Sequence, residues 1–250
     1  MQAYNHPHYY DIALGVGDVA REVDFFEAAA ARFSRVPVRL VFEIAAGTAP
    51  YLEEWHRRGY AYCGLDLSAA MLDRARDKAR RAGIEARFVV ADMRGFSPDM
   101  GPFDLAYVLL GSIYTVSNRE FLDHLGRVAD VLPAGGLYLL DSVVWFDVFN
   151  RYRRSWTRRK GGVTVRTTYR AELIDPIAQT YEEHLTYRID DRGERRTIES
   201  RVPAKIFFPQ EFLCLVELSG RFEFVGWFND FDLAAPLRPE GRHIVVLRKR

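Results

Sequence analysis

The chain has 250 residues, 48% of them hydrophobic and 28% charged, which suffices for one large α/β domain or two small ones around a substantial core. Its 35 Lys and Arg against 34 Asp and Glu leave a formal net charge of +1, so no overall field draws in nucleic acid or an anionic membrane surface. The N-terminus MQAYNHPHYY lacks a basic stretch followed by an apolar one, and no apolar run approaches the ~18 residues of a membrane span, so the expectation is a cytoplasmic protein with no membrane partner.

In chain order, an aromatic-rich tip, HPHYYDIAL, precedes a helical stretch, VAREVDFFEAAAARF. RLVFEI reads as a buried strand and YLEEWHRRG as a helix stopped by Gly59. YAYCGLDL is a strand, SAAMLDRARDKARRAG a helix between the N-cap Ser68 and the stop Gly83, and IEARFVVADM another strand. FDLAYVLL, the loop GSIYTVS and the helix NREFLDHLGRVADVL follow, and LPAGGLYLLDSV turns at residues 134–136 into a fifth strand. Strands alternating with helices in this way specify a parallel sheet with right-handed crossovers.

From about residue 150 the helical period disappears. GVTVRTTYRAEL, QTYEEHLTYRID and RRTIESRVPAKIFF alternate apolar and polar residues between turn signals, the pattern of antiparallel strands. PQEFLCLVELSG is a last helix, and FEFVGWF and HIVVLRKR are the closing strands. The expected organisation is therefore a Rossmann-like core over residues 1–149 and 209–250, interrupted by an antiparallel β insertion over 150–208. The two cysteines, Cys63 and Cys214, sit in apolar runs and read as buried reduced thiols.

In an open α/β sheet, ligands lie across the carboxyl ends of the strands. Acids stand at three such ends: Glu43, Asp66 and Asp92. The loop after the first strand has small residues, one Gly47 and no lysine, so it suits a compact zwitterion better than a triphosphate. An acid after the second strand suits ribose hydroxyls, and one after the third suits an exocyclic adenine amine. An adenosine with a methionine-like tail, S-adenosylmethionine, matches this row.

These stretches together resemble the class I S-adenosylmethionine-dependent methyltransferases. VFEIAAGTAPYL looks like the first motif, with Ala45 and Ala49 where glycines usually stand. GLDLSAAMLDRAR, FVVADMRGF, LPAGGLYLLD and HIVVLRKR resemble the later ones, in order and over nearly the whole chain. The resemblance implies a seven-stranded, mostly parallel sheet with an antiparallel last strand. Carried over by residue, it implies that Glu43, Ala45 and Gly47 line the methionine moiety and that Asp66 holds the ribose beside Leu67 and Met71. Asp92 and Met93 would address adenine, and the backbone at Leu109 to Gly111 would meet the amino end.

YYDIAL, ADMRGF and the insertion are similar to the amino-sugar and glycine N-methyltransferase-like subgroup, in which the insertion covers the active site. The resemblance implies a small-molecule methyl acceptor, with an amine nitrogen foremost and oxygen or carbon as alternatives. Tyr10 and Tyr114 (with Thr115 beside the latter) would be the positioning residues at the catalytic centre. The subgroup often carries His in the strand-four loop, and this chain does not.

Other polar residues have competing readings. His184 and Arg166 lie on insertion strands whose facing the sequence leaves open. His124 reads as core or surface, and Arg21 either reaches the cofactor carboxylate or faces solvent. RYRRSWTRRKGG (151–162) reads as a flexible basic loop; an anionic acceptor is its functional alternative, and RNA is disfavoured by the neutral net charge. The six histidines have no metal-ligand spacing, so no metal is expected. Exposed edges of the insertion strands are an expected pairing surface for a homodimer. Two further readings stay open: a non-catalytic S-adenosylmethionine-binding protein, and a nicotinamide-dependent dehydrogenase, the latter disfavoured by the missing GxGxxG.

Overall fold

A computed structural model describes residues 2–15, 17–146 and 152–250. Valine, leucine, isoleucine and aromatic runs form the strands of a seven-stranded sheet: β1 (Leu40–Ile44), β2 (Ala61–Asp66), β3 (Arg87–Val90), β4 (Leu105–Val108), β5 (Leu137–Asp141), β10 (Phe222–Asn229) and β11 (His243–Lys249). Their order is β10-β11-β5-β4-β1-β2-β3. β1 to β5 are mutually parallel, and β11 enters between β5 and β10, antiparallel to both.

Alternate residues of each strand feed opposite layers. Phe42, Ile44, Ala106, Val108, Tyr138 and Leu140 pack under α5 (Asn118–Asp130) and α6 (Pro209–Ser219). Val41, Tyr62, Leu105, Tyr107 and Leu139 pack under α2 (Val19–Phe33), α3 (Leu52–Arg57) and α4 (Ala69–Ala82). Each large apolar side chain so buried contributes roughly 1.5–3 kcal/mol. The caps are local. Ser68 Oγ accepts from Met71 N at 3.3 Å, and Gly83 ends α4 at φ 67°. Ser117 caps α5, while Glu120 in its first turn accepts from Val116 N at 3.1 Å and so fixes the exit of the loop after β4.

A second sheet is an antiparallel meander of β6 (Tyr152–Lys160), β7 (Val163–Asp175), β8 (Thr180–Asp191) and β9 (Glu194–Lys205). One of its faces carries Val163, Val165, Tyr187, Ile189 and Ile198. These pack on Ala3, Tyr9, Ile12 and Ala13 of the N-terminal segment, where HPHYYDIAL forms a helix, α1 (Pro7–Leu14). Trp156 Nε1 donates to Ala13 O at 2.6 Å and clips the sheet to that helix.

Two local expectations are corrected. The basic run is not a loop, because Tyr152–Lys160 pair with β7 as an exposed edge strand; residues 147–151, including the expected boundary at 149/150, lie outside the described residues. Cys63 is buried but Cys214 is exposed, on the outer side of α6. Among the described residues, no helix is long and apolar enough to cross a membrane.

Candidate active site

The strand order reverses between β1 and β4, so the loops after these two strands separate and leave a crevice at the carboxyl edge. The loop after β1 winds tightly, with Ala45 at φ 56°, Gly47 at 54° and Ala49 at 50°. Two of these left-handed positions carry a Cβ, a strain of ~1–2 kcal/mol each. Ala46 N donates to Leu65 O at 2.9 Å and Gly47 N to Asp66 Oδ2 at 2.8 Å, which locks the loop to β2. Gly64 allows this approach, since a Cβ there would lie 3.0 Å from that of Ala46.

Asp66 is thereby pinned with one backbone N–H on each oxygen, Gly47 on Oδ2 and Ser68 N on Oδ1 at 2.8 Å. Each oxygen keeps acceptor capacity. Burial raises its pKa, against the lowering effect of those N–H groups. Asp92 differs: Arg94 grips it through Nε at 3.0 Å to Oδ1 and Nη2 at 2.6 Å to Oδ2, holding it below the usual carboxylate range.

A cavity of ≈ 350 Å³ opens on this edge. Ala45, Gly47, Asp66, Leu67, Asp92 and Met93 line one side, and Tyr10 and Tyr114 line the other, so eight of the residues singled out from the sequence stand together. Four do not line it. Glu43 follows the strand alternation to the α2/α3 side, where it is 4% exposed and accepts hydrogen bonds from Tyr62 and, at 3.0 Å, Tyr107. Met71 is fully buried on the inner face of α4. Leu109 packs into the core layer beneath α2 and α3, Gly111 N donates to Asp141 O at 3.1 Å, and Ser112 reaches the cavity in their place.

The sequence reading missed several wall residues. Tyr4 and Asn5 come from the N-terminal segment, Ser112 and Val116 from the loop after β4, and Arg201, Val202 and Pro203 from β9. It also missed Glu183 on β8. Tyr4 and Tyr114 hydroxyls meet at 3.1 Å, Tyr114 Oη donates to Glu183 Oε2 at 3.3 Å, and Tyr169 Oη to Oε1 at 2.8 Å. Burial pushes Tyr4 up to about 12 and Tyr10 and Tyr114 well above the ordinary phenol value. These phenols stay protonated at neutral pH, as neutral donors and acceptors.

The remaining polar candidates are settled by position. Arg21 donates to Asp230 O at 3.0 Å, away from the cavity wall. The cation that ties this end of the sheet is Arg242, bound to Glu22 Oε1 at 2.6 Å and Asp141 Oδ2 at 2.5 Å. His124 is core, bonded to Met93 O at 2.9 Å and Tyr138 Oη at 2.7 Å, and burial lowers it to about 4. Arg166 and His184 fall on the outer face of the second sheet, a register parity that spacing alone could not supply. Among the described residues, no group of His, Cys, Asp and Glu is arranged to hold a metal ion.

The cavity accommodates an adenosine with a short zwitterionic tail. Asp66 retains acceptors for a diol, and Leu67, half exposed on the wall, offers apolar surface to a ring face. Residues 41–136 match the family model for a methyltransferase domain. No curated protein matches the sequence. Among solved structures, an S-adenosylmethionine-dependent methyltransferase from Clostridium acetobutylicum aligns with TM-score 0.77 at 15% identity, over 96% of each chain. A sugar N-methyltransferase from a Streptoalloteichus species aligns with TM-score 0.74 at 21% identity, over 96% of this chain and 91% of its own. An amino pentose methyltransferase from Micromonospora echinaspora, bound to S-adenosylmethionine, aligns with TM-score 0.71 at 19% identity, over 100% and 98%. At these identities the likeness is one of fold. The fold is that of the class I S-adenosylmethionine-dependent methyltransferases, and residues 41–136 carry a methyltransferase domain.

Proposed function

We propose that this chain is an enzyme that uses S-adenosylmethionine to methylate an amine nitrogen of a small molecule. The observation that carries the reading is the chemistry of the wall opposite Asp66. Tyr4, Tyr10 and Tyr114 present hydroxyls that burial keeps protonated, and no histidine lines the cavity. An alcohol holds its proton so tightly that a carboxylate or a protonated phenol cannot make it nucleophilic, whereas an amine is nucleophilic once it is neutral, held and aligned. Two of the similar folds are a sugar N-methyltransferase and an amino pentose methyltransferase, which supports an amine and makes amino sugars the first class to test.

In this reading Asp66 accepts the ribose hydroxyls, and Ala45 and Gly47 bound the methionine end. Asp92 and Met93 flank the adenine, and Arg94 keeps Asp92 ionised and fixed. Bound S-adenosylmethionine supplies an electrophilic methyl on a sulfonium. Tyr10 and Tyr114 orient the acceptor nitrogen toward it, and the second sheet with the N-terminal segment excludes water. Alignment of this kind is worth on the order of 7–11 kcal/mol in model reactions.

The test is methyl transfer from isotopically labelled S-adenosylmethionine to a panel of amines and their matched alcohols. Transfer to amines at least tenfold above the alcohols is expected. Transfer confined to alcohols would overturn the reading, and cofactor binding with no transfer to any acceptor would make the chain a non-catalytic binder.

A further inference from the structure

Glu183 is a carboxylate without a cation. Its neighbour Glu182 pairs with His184 Nε2 at 2.5 Å and Arg201 at 3.9 Å on the outer face of the second sheet. Glu183 points the other way. It accepts from Tyr114, a cavity-wall residue, and it is paired in register with Ala171 and Val202, on the face that carries Tyr181 and Ala204. Among the described residues no Lys, Arg or His forms an ion pair with it. A desolvated carboxylate with no counter-charge is costly, and hydrogen bonds from Tyr114 and Tyr169 offset only part of that cost. The titratable groups facing it are phenols: Tyr4 from the N-terminal segment, Tyr114 from the loop after β4, Tyr169 from β7 and Tyr181 from its own strand. A buried carboxylate with no counter-charge forms an environment that selects a cation.

We propose that Glu183 makes the acceptor subsite specific for a protonated amine and removes its proton through the Tyr114 hydroxyl. The inference rests on the amine reading above and names the charge state in which the acceptor enters. The proton balance is simple. The ammonium passes one proton to Tyr114 Oη as Tyr114 passes its own to Glu183 Oε2, leaving a neutral amine and a neutral carboxylic acid. Tyr114 is unchanged, and the amine lone pair is freed for attack. Burial raises the Glu183 carboxyl above the ordinary glutamate value, bringing it closer to the working pH of a base. Glu183 acts through Tyr114 and is thus a positioning residue and proton acceptor at one remove from the substrate.

The experiment uses the full chain saturated with S-adenosylhomocysteine, titrated by NMR with cyclohexylammonium and with cyclohexanol. Glu183→Gln keeps the shape of the side chain, with a carbonyl oxygen that accepts from one tyrosine and an N–H that the other tyrosine's oxygen can accept, and its melting temperature checks that the fold is preserved. The wild type should bind the cation at least tenfold more tightly than the alcohol, and Glu183→Gln should reduce that preference to about twofold or less, with S-adenosylhomocysteine affinity unchanged. Cation affinity should also fall in the wild type as pH drops and Glu183 takes up a proton, and stay flat in the variant. The probe itself remains charged throughout, since alkyl amines titrate near pH ~10. An undiminished preference in Glu183→Gln, or none in a wild type that still methylates amines, would overturn the role of Glu183 alone. No cation preference together with no transfer to amines would overturn the amine reading as well.

Discussion

The two sheets furnish the cavity in different ways. In the seven-stranded sheet, the acidic groups on the wall, Asp66 and Asp92, stand at or just beyond the carboxyl ends of β2 and β3. In the four-stranded sheet the contribution comes from within strands, from residues such as Val202 and Glu183 that share one face by register. Strand ends are fixed by topology, because a parallel sheet gathers them along one edge. Mid-strand positions are fixed by parity, and a slip of one residue would exchange Glu183 for Glu182. In the proposed reading the first sheet provides the cofactor edge and the second the acceptor face.

This division can be broken at several points. The largest effect is expected at Asp66→Ala, which removes the ribose acceptor and frees Gly47 N and Ser68 N. Affinity for S-adenosylhomocysteine should fall about 100-fold or more by calorimetry, in line with two charge-assisted hydrogen bonds at roughly 1.5–3 kcal/mol each. An Asp66→Ala protein that binds normally would mean that the acidic edge is structural.

Glu43 provides the contrast on the same sheet, an acid that topology placed in the core. Burial raises its pKa from 4.5 to about 8, against hydrogen bonds from Tyr62 and Tyr107. Between those two values the native state holds a proton that the unfolded chain has lost, so stability falls as pH rises through the window. Glu43→Gln should abolish that slope and stabilise the protein at pH 8 by about 3 kcal/mol, read from denaturant melts at pH 5 and 8. It should leave cofactor affinity within about threefold. A large loss of affinity would return Glu43 to the site.

Tyr114→Phe addresses the other sheet's partner. Turnover with an amine acceptor should fall about 10- to 100-fold, with S-adenosylhomocysteine affinity unchanged, because the hydroxyl lies on the acceptor side. Ala49→Gly should have the smallest effect. It relieves a left-handed alanine worth ~1–2 kcal/mol, at a chain-entropy cost of ~0.5–1 kcal/mol and the loss of a buried methyl worth ~0.8 kcal/mol, so the melting temperature should shift by no more than a degree or so.

Much of the core sheet was legible because its signals are local. The Ser68 cap, the Gly83 stop and the acid after each strand are read from a few adjacent residues. Glu43 was misplaced because alternation governs a residue inside a strand, while it was read as a strand end: it lies between Phe42 and Ile44, both on the opposite layer. Tyr4 escaped notice because nothing local marks the first few residues as part of a cavity built by a distant sheet. Glu183, Arg166 and His184 lay beyond sequence reasoning for one reason. Strand alternation identifies two faces, and only pairing with β7 and β9 decides which face meets the cavity.

The most direct test of the division of labour is a titration of S-adenosylhomocysteine into Asp66→Ala and Tyr114→Phe side by side with the wild type. The account predicts that binding is lost in the first variant and unchanged within about twofold in the second. Equal losses in both, or retention in Asp66→Ala, would contradict it, because the cofactor edge would then not be separable from the acceptor face.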